Sequence, residues 1–140
     1  MGTGRTTLFV IIDCLRLDQW RTLIPLLEPF AQVEEATYYS ILPTATPFSR
    51  NGIFSGMYPD QIAERVPGWW GWDGEGSLNS FEGELFREQV RRLEGNLPVH
   101  YEKVFEAGDG ESLLRRLPGH LSQPGVTAVV FNFVDQLTHG

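Results

Sequence analysis

Two apolar runs in this 140-residue chain each end in an aspartate. Leu8-Phe9-Val10-Ile11-Ile12 leads into Asp13, and Thr127-Ala128-Val129-Val130-Phe131-Asn132-Phe133-Val134 leads into Asp135. Open α/β sheets gather their ligands at the carboxyl ends of strands, so carboxylates there are candidates for chemistry. Either aspartate taken alone reads equally well as the cap of a following helix. His139 follows Asp135 by four residues, and one helical turn brings the carboxylate and the imidazole to the same face. Zinc accepts oxygen and nitrogen ligands at about 2.0–2.2 Å, and a pair so spaced presents two of them. Without further context the same spacing is a surface salt bridge.

Between the two aspartates lies Thr44-Ala45-Thr46-Pro47-Phe48-Ser49-Arg50-Asn51. Proline suits the first position of a helix, which makes Thr46 the expected N-cap. A helix N-terminus also points unpaired N–H groups and a positive dipole at whatever lies there, an environment that suits a phosphate or a metal-bound alkoxide. Capping and nucleophilic chemistry can therefore share Thr46. Arg50 stands one turn further along the same face, where it could clamp non-bridging phosphoryl oxygens through paired hydrogen bonds or form an ordinary ion pair. Asn51 is a candidate donor to the same oxygens, with packing or capping as the alternative. Cys14 reads as a small buried hydrophobe, and His100 and His120 as surface residues. Trp69, Trp70 and Trp72 offer indole faces for stacking a flat group, although large aromatics more often build cores.

These groups need elements to hold them. The run at 8–12 is short, continuous and branched, as expected of a strand buried on both faces of a parallel sheet, and 127–134 repeats the pattern. Leu17, Trp20, Leu23, Ile24 and Leu27 recur at helical spacing, with Pro25 expected to kink or shorten that helix. Residues 35–42 alternate loosely and predict a further strand. A helix is expected from Pro47 to about Gly56, and a short one over 59–65. Residues 67–76 carry too many glycines for regular structure and predict an aromatic loop. Phe81, Leu85, Phe86, Val90 and Leu93 mark one face of a helix over 80–93. A strand at 101–105 and a helix over 112–121, broken at Pro118, complete the pattern. Such alternation predicts an α/β fold, a layered and mostly parallel sheet with helices on both faces.

Composition narrows the function classes. At 41% hydrophobic and 21% charged residues the chain has the make-up of one soluble globular domain. Its formal charge of −7 excludes a surface that coats nucleic acid through clustered Lys and Arg. A phosphate ester stays open as substrate, because a bound cation supplies positive charge locally. With one cysteine there is neither an intrachain disulfide nor a four-thiolate zinc site, and a reducing, cytoplasmic setting is expected. The run at 8–12 falls far short of the roughly 20 residues that span a bilayer, so no membrane association is expected. A dinucleotide fold is excluded, since no Gly-x-Gly-x-x-Gly follows the first strand.

Thr46-Pro47-Phe48-Ser49-Arg50, followed by Phe54-Ser55-Gly56-Met57-Tyr58-Pro59, resembles the nucleophile segment of the alkaline phosphatase superfamily. Sulfatases and nucleotide pyrophosphatases share this spacing. Within the superfamily the chain is most similar to the PglZ domain, in Ile12-Asp13-Cys14-Leu15-Arg16, in Pro43-Thr44-Ala45-Thr46-Pro47 and in Asn132-Phe133-Val134-Asp135 leading to His139. The resemblance implies an alkaline-phosphatase-like core and a metal-dependent phosphoester hydrolase, a phosphodiesterase acting on nucleotides or oligonucleotides. It implies Thr46 as nucleophile, two zinc ions with manganese as the alternative, one held by Asp13 and Thr46 and the other by Asp135 and His139. Arg50 matches an arginine at the same offset in sulfatases. The alternative that the resemblance carries is a non-catalytic module with protein partners in phage-defence or response-regulator systems. Family members carry an Asp-His pair and a last histidine further along than these residues extend. Residues 1–140 are therefore expected to form the N-terminal portion of such a domain, holding zinc weakly and turning over little by themselves.

Overall fold

Branched and aromatic residues build three strands, β1 (Thr6–Ile12), β2 (Val99–Val104) and β3 (Gly125–Phe131). The computed structural model describes residues 4–70, 78–132 and 134. The strands form one all-parallel sheet in the order β1-β3-β2. β3 is central and pairs on both sides, with Phe131 aligned to Ile12 of β1 and to Val104 of β2. Its continuous apolar character follows, since a central parallel strand is covered on both faces. Ile12 and Phe131 end the two ladders side by side, which brings Asp13 and Asn132 to the same rim of the sheet.

Strand alternation sorts the side chains between two layers. Phe9, Ile11, Tyr101, Ala128 and Val130 meet α2 (Thr46–Ser55), α3 (Pro59–Arg65) and α4 (Glu82–Glu94), whose Phe54, Ile62, Leu85, Phe86 and Val90 complete the main core. The Phe54 ring lies edge-on to Phe9, Phe86 and Tyr101 at centroid distances of 6.1, 5.5 and 5.3 Å. On the opposite face α5 (Ala107–His120) lays Leu113 and Leu117 over Val104, Val129 and Phe131. Helices thus lie on both faces, as the sequence pattern predicts, but β1 pairs only with β3 among the described residues and its Leu8 and Val10 are exposed, so the expectation of a strand buried on both faces fails there. No helix among the described residues is long and apolar enough to cross a membrane.

α1 (Leu17–Leu27) behaves differently, since none of its residues is buried. It flanks a cavity of about 1030 Å³ lined by Val10, Ile12, Trp20, Leu23 and Tyr38 among others. The strand expected over 35–42 does not form. That stretch is irregular and largely exposed, and it has no ladder partner, because β1 pairs only with β3 among the described residues. Alternation without a neighbouring strand leaves backbone groups to water and fixes no extended geometry.

Pro118 does not break α5, which runs on for two residues to His120, and α1 likewise ends two residues after Pro25, in keeping with a helix shortened there. On α4 the expected apolar face is shifted. Leu85, Phe86 and Val90 are buried as predicted, but Phe81 and Leu93 are exposed and the carboxylate of Glu82 lies fully inside. Phe54→Ala should lower the unfolding free energy by about 3–5 kcal/mol, the usual range for deleting a buried ring. Urea denaturation followed by circular dichroism checks this.

Candidate functional site

α2 starts with Ala45 in an extended conformation (φ −63°, ψ 144°) as its N-cap, Thr46 as its first helical residue and Pro47 as its second. The N-cap therefore falls one position earlier than the sequence suggested. The Ala45 carbonyl closes the first turn by accepting from the N–H groups of Phe48 and Ser49, at 3.0 Å each. Alanine has no side-chain acceptor, so no side-chain cap is made. The helix ends on Gly56 at φ 62°, a left-handed conformation that glycine adopts without a steric penalty.

The inward stripe of α2 carries Arg50, Asn51, Phe54 and Ser55. Arg50 is buried, and its guanidinium gathers the ends of two strands and a second helix. Nη1 donates to Asp13 Oδ2 at 3.0 Å and to Asn132 Oδ1 at 2.8 Å, while Nη2 donates to Glu82 Oε2 at 2.5 Å. Asp13 Oδ1 accepts from the Cys14 N–H at 3.1 Å, and the Asp13 N–H donates to the Phe131 carbonyl at 3.0 Å. The carboxylate at the end of β1 is thereby held through both its oxygens, and its backbone is pinned to β3.

Glu82 is the other centre of this network. Its Oε2 also accepts from Tyr101 Oη at 2.6 Å and lies 3.2 Å from Lys103 Nζ, while Oε1 accepts from Asn79 Nδ2 at 2.8 Å. Asn79 Nδ2 also approaches the Thr46 carbonyl at 3.4 Å, so the first turn of α2 is tied to the same network. Burial by itself lowers the pKa of the Arg50 guanidinium. The hydrogen bond and charge of Glu82, and then those of Asp13, outweigh that effect and raise it, so Arg50 stays charged. Burial first, and the Glu82 charge second, raise the pKa of the Tyr101 phenol, which stays a neutral donor.

The residues expected to form a site fall into three groups. Asp13 and Arg50 are brought together at the carboxyl rim of the sheet, and Thr46 opens the helix that carries Arg50. Asn51, expected to reach a substrate, is fully buried and donates to the Leu78 carbonyl at 2.9 Å, so it anchors the chain ahead of α4. Asp135 and His139 lie outside the described residues. Among the described residues no group of three or more His, Cys, Asp and Glu is placed to hold a metal ion.

Cys14 is exposed at φ 59°, which corrects the buried reading. The left-handed residue there turns the chain sharply away from β1, leaving the Asp13 carboxylate at the rim. Trp69 and Trp70 pack against the main core, Trp70 edge-on to Phe48 at 5.6 Å, and Trp72 lies outside the described residues. His100 and His120 are half-buried and share a ring contact at 4.1 Å, where separate surface positions were expected.

Glu82, Asn79, Tyr101, Lys103 and Asn132 were not singled out from sequence. Glu82 did leave a trace, because it stands three and four residues before Leu85 and Phe86 and so occupies the apolar stripe of α4. A carboxylate in that register must find a cation or leave the core. Arg50 from α2 is its principal cation, and Lys103, two residues after Tyr101 on β2, faces the same layer and is a second.

A family model described as the BREX system PglZ alkaline phosphatase-like domain matches residues 1–140. The chain belongs to the PglZ family. No curated protein matches it. The all-parallel sheet of this PglZ domain, flanked by helices on both faces, agrees with an alkaline-phosphatase-like core. Replacing Arg50 by Met should destabilise the PglZ domain by about 3–5 kcal/mol, because Glu82 is left as a buried charge without its principal partner. Tyr101→Phe, which removes one hydrogen bond to the charged Glu82, should cost less, about 1.5–3 kcal/mol. Guanidinium denaturation of the two variants tests the ranking, and equal losses would contradict it.

Proposed function

We propose that this PglZ domain serves metal-dependent phosphoester hydrolysis, with Thr46 as nucleophile and a phosphodiester of a nucleotide or oligonucleotide as substrate. The observation that supports the reading is the Arg50 fork. One buried guanidinium links Asp13 after β1 and Asn132 after β3, and it projects from the helix that opens with Thr46. The three segments that resemble the family are those three.

The donor set suits a metal. Each carboxylate oxygen of Asp13 accepts one hydrogen bond and keeps a further lone pair, and the Thr46 hydroxyl is a second hard oxygen donor. Asp13 and Thr46 would hold one zinc ion, or manganese, and Asp135 with His139 another; the metal would lower the pKa of the hydroxyl and screen phosphoryl charge. The Thr46 oxygen then attacks phosphorus in line. An O–P bond to Thr46 forms as the ester P–O bond breaks and the alcohol departs, and water later cleaves the phosphothreonine and restores the hydroxyl. The unpaired N–H groups and dipole at the start of α2 favour the negative charge gathered there.

Arg50 takes a different part from the phosphoryl clamp expected from its spacing. Its Nη atoms already donate to three acceptors within the protein, so its role is to hold Asp13. We place the domain in the cytoplasm.

A second reading draws on the BREX system named in the family description and on the inward-directed hydrogen bonds of Arg50 and Asn51. In it the domain is a non-catalytic module that docks on protein partners in a defence complex. In the full-length protein, Thr46→Ala should reduce metal-dependent hydrolysis of bis-p-nitrophenyl phosphate by about 10³-fold or more. Activity retained in the variant sinks the nucleophile assignment. A partner captured by both wild-type and Thr46→Ala protein in the presence of chelator, with no hydrolysis in either, establishes the second reading.

A further inference from the structure

Four charges of alternating sign run from β2 to the end of β1. Lys103 lies 3.2 Å from Glu82, Glu82 lies 2.5 Å from Arg50, and Arg50 lies 3.0 Å from Asp13. Side-chain exposure is 23% at Lys103, 0% at Glu82, 6% at Arg50 and 16% at Asp13, so the chain is most deeply buried in its middle. Solvent screens such contacts little, and a change at one member is felt by the next. Glu82 is wholly enclosed and reaches no substrate surface, so it acts on Asp13 through Arg50, its other tie to the site being through Asn79 to the Thr46 carbonyl.

We propose that Glu82 is a positioning residue, the counter-charge that shares Arg50 with Asp13 and thereby sets how readily Asp13 serves a metal ion. Resting on the phosphoesterase reading, the inference adds a residue that the family resemblance did not point to. An arginine paired with Asp13 alone would compete with a metal for the same carboxylate oxygens. Glu82 draws part of that attraction to the opposite side of the guanidinium. Lys103 and the Tyr101 hydroxyl in turn limit how strongly Glu82 pulls. Groups behind a metal-ligating carboxylate commonly change metal affinity by about 10–100-fold when altered.

The alternating order makes neighbouring members act in opposite directions, which a scaffold role does not. In the full-length protein Glu82→Gln lets Arg50 lean on Asp13, and zinc affinity measured by titration calorimetry should fall about tenfold. Lys103→Met strengthens the hold of Glu82 on Arg50, and zinc affinity should rise by about threefold, a smaller change because the effect passes through one more contact. Both variants weakening zinc alike, or neither altering it, overturns the proposal. Should Glu82→Gln fail to fold, the direction seen in Lys103→Met decides by itself.

A metal-free measurement separates this inference from the function it rests on. Because Asp13 and Glu82 share one guanidinium, Asp13→Asn combined with Glu82→Gln should shift the unfolding equilibrium about fivefold beyond the product of the single variants. Simple additivity overturns charge sharing. Coupling that persists while Asp13→Asn leaves zinc affinity unchanged removes Asp13 as a metal ligand and leaves the role of Glu82 toward Arg50 standing.

Discussion

A guanidinium placed among acceptors inside a protein must have its charge answered, and Arg50 meets that demand by drawing three elements together. Two of its acceptors, Asp13 and Asn132, stand just past the ends of neighbouring strands, and the third, Glu82, comes from α4. Desolvating an arginine and two carboxylates is costly, and the arrangement offsets that cost by pairing Arg50 with both carboxylates and answering their remaining oxygens with the Cys14 N–H and the Asn79 amide. The network is better understood as fixing geometry than as adding stability. An apolar core of similar volume would stabilise the fold as well, but it would not hold a carboxylate in one orientation at the rim.

The sheet makes this placement possible. β3 pairs in parallel with both neighbours, so β1 and β3 finish together and present their following residues side by side. Phe54 and its ring partners then seat α2 against the same face, with Arg50 one turn before Phe54 on the inward stripe. Aromatic packing sets the height of the helix and the ion network sets its rotation. Together they hold α2, through Arg50, against the strand ends.

Much of this was legible in the sequence because it rests on local patterning. The branched runs at 8–12 and 127–134 announced two parallel strands, although the second spans Gly125–Phe131 and so ends short of the predicted bound, and the periodicity of Leu85, Phe86 and Val90 announced α4. Thr46 and Pro47 marked the start of α2 to within one residue. The irregular course of 35–42 was not legible, because a strand is defined by a partner and alternation alone says nothing about one. Nor was the true company of Arg50. Its acceptors lie 32, 37 and 82 residues away in the chain, and only the tertiary fold brings them within reach. For Asn51 the sequence carried both a substrate contact and a packing role, and its burial and its bond to the Leu78 carbonyl agree with packing.

α1 adds a dynamic consequence. It buries none of its residues, and its side-chain ties run to the segment that follows it, through Trp20 and Arg21 to Glu35 at 3.1 and 3.2 Å. Helix and segment therefore form a local unit whose opening disturbs little of the main core. Asp13, one residue before the left-handed turn at Cys14, stays fastened by Arg50 and by the Phe131 carbonyl. Opening of this outer unit would therefore end at the turn and leave the carboxylate held from the sheet side.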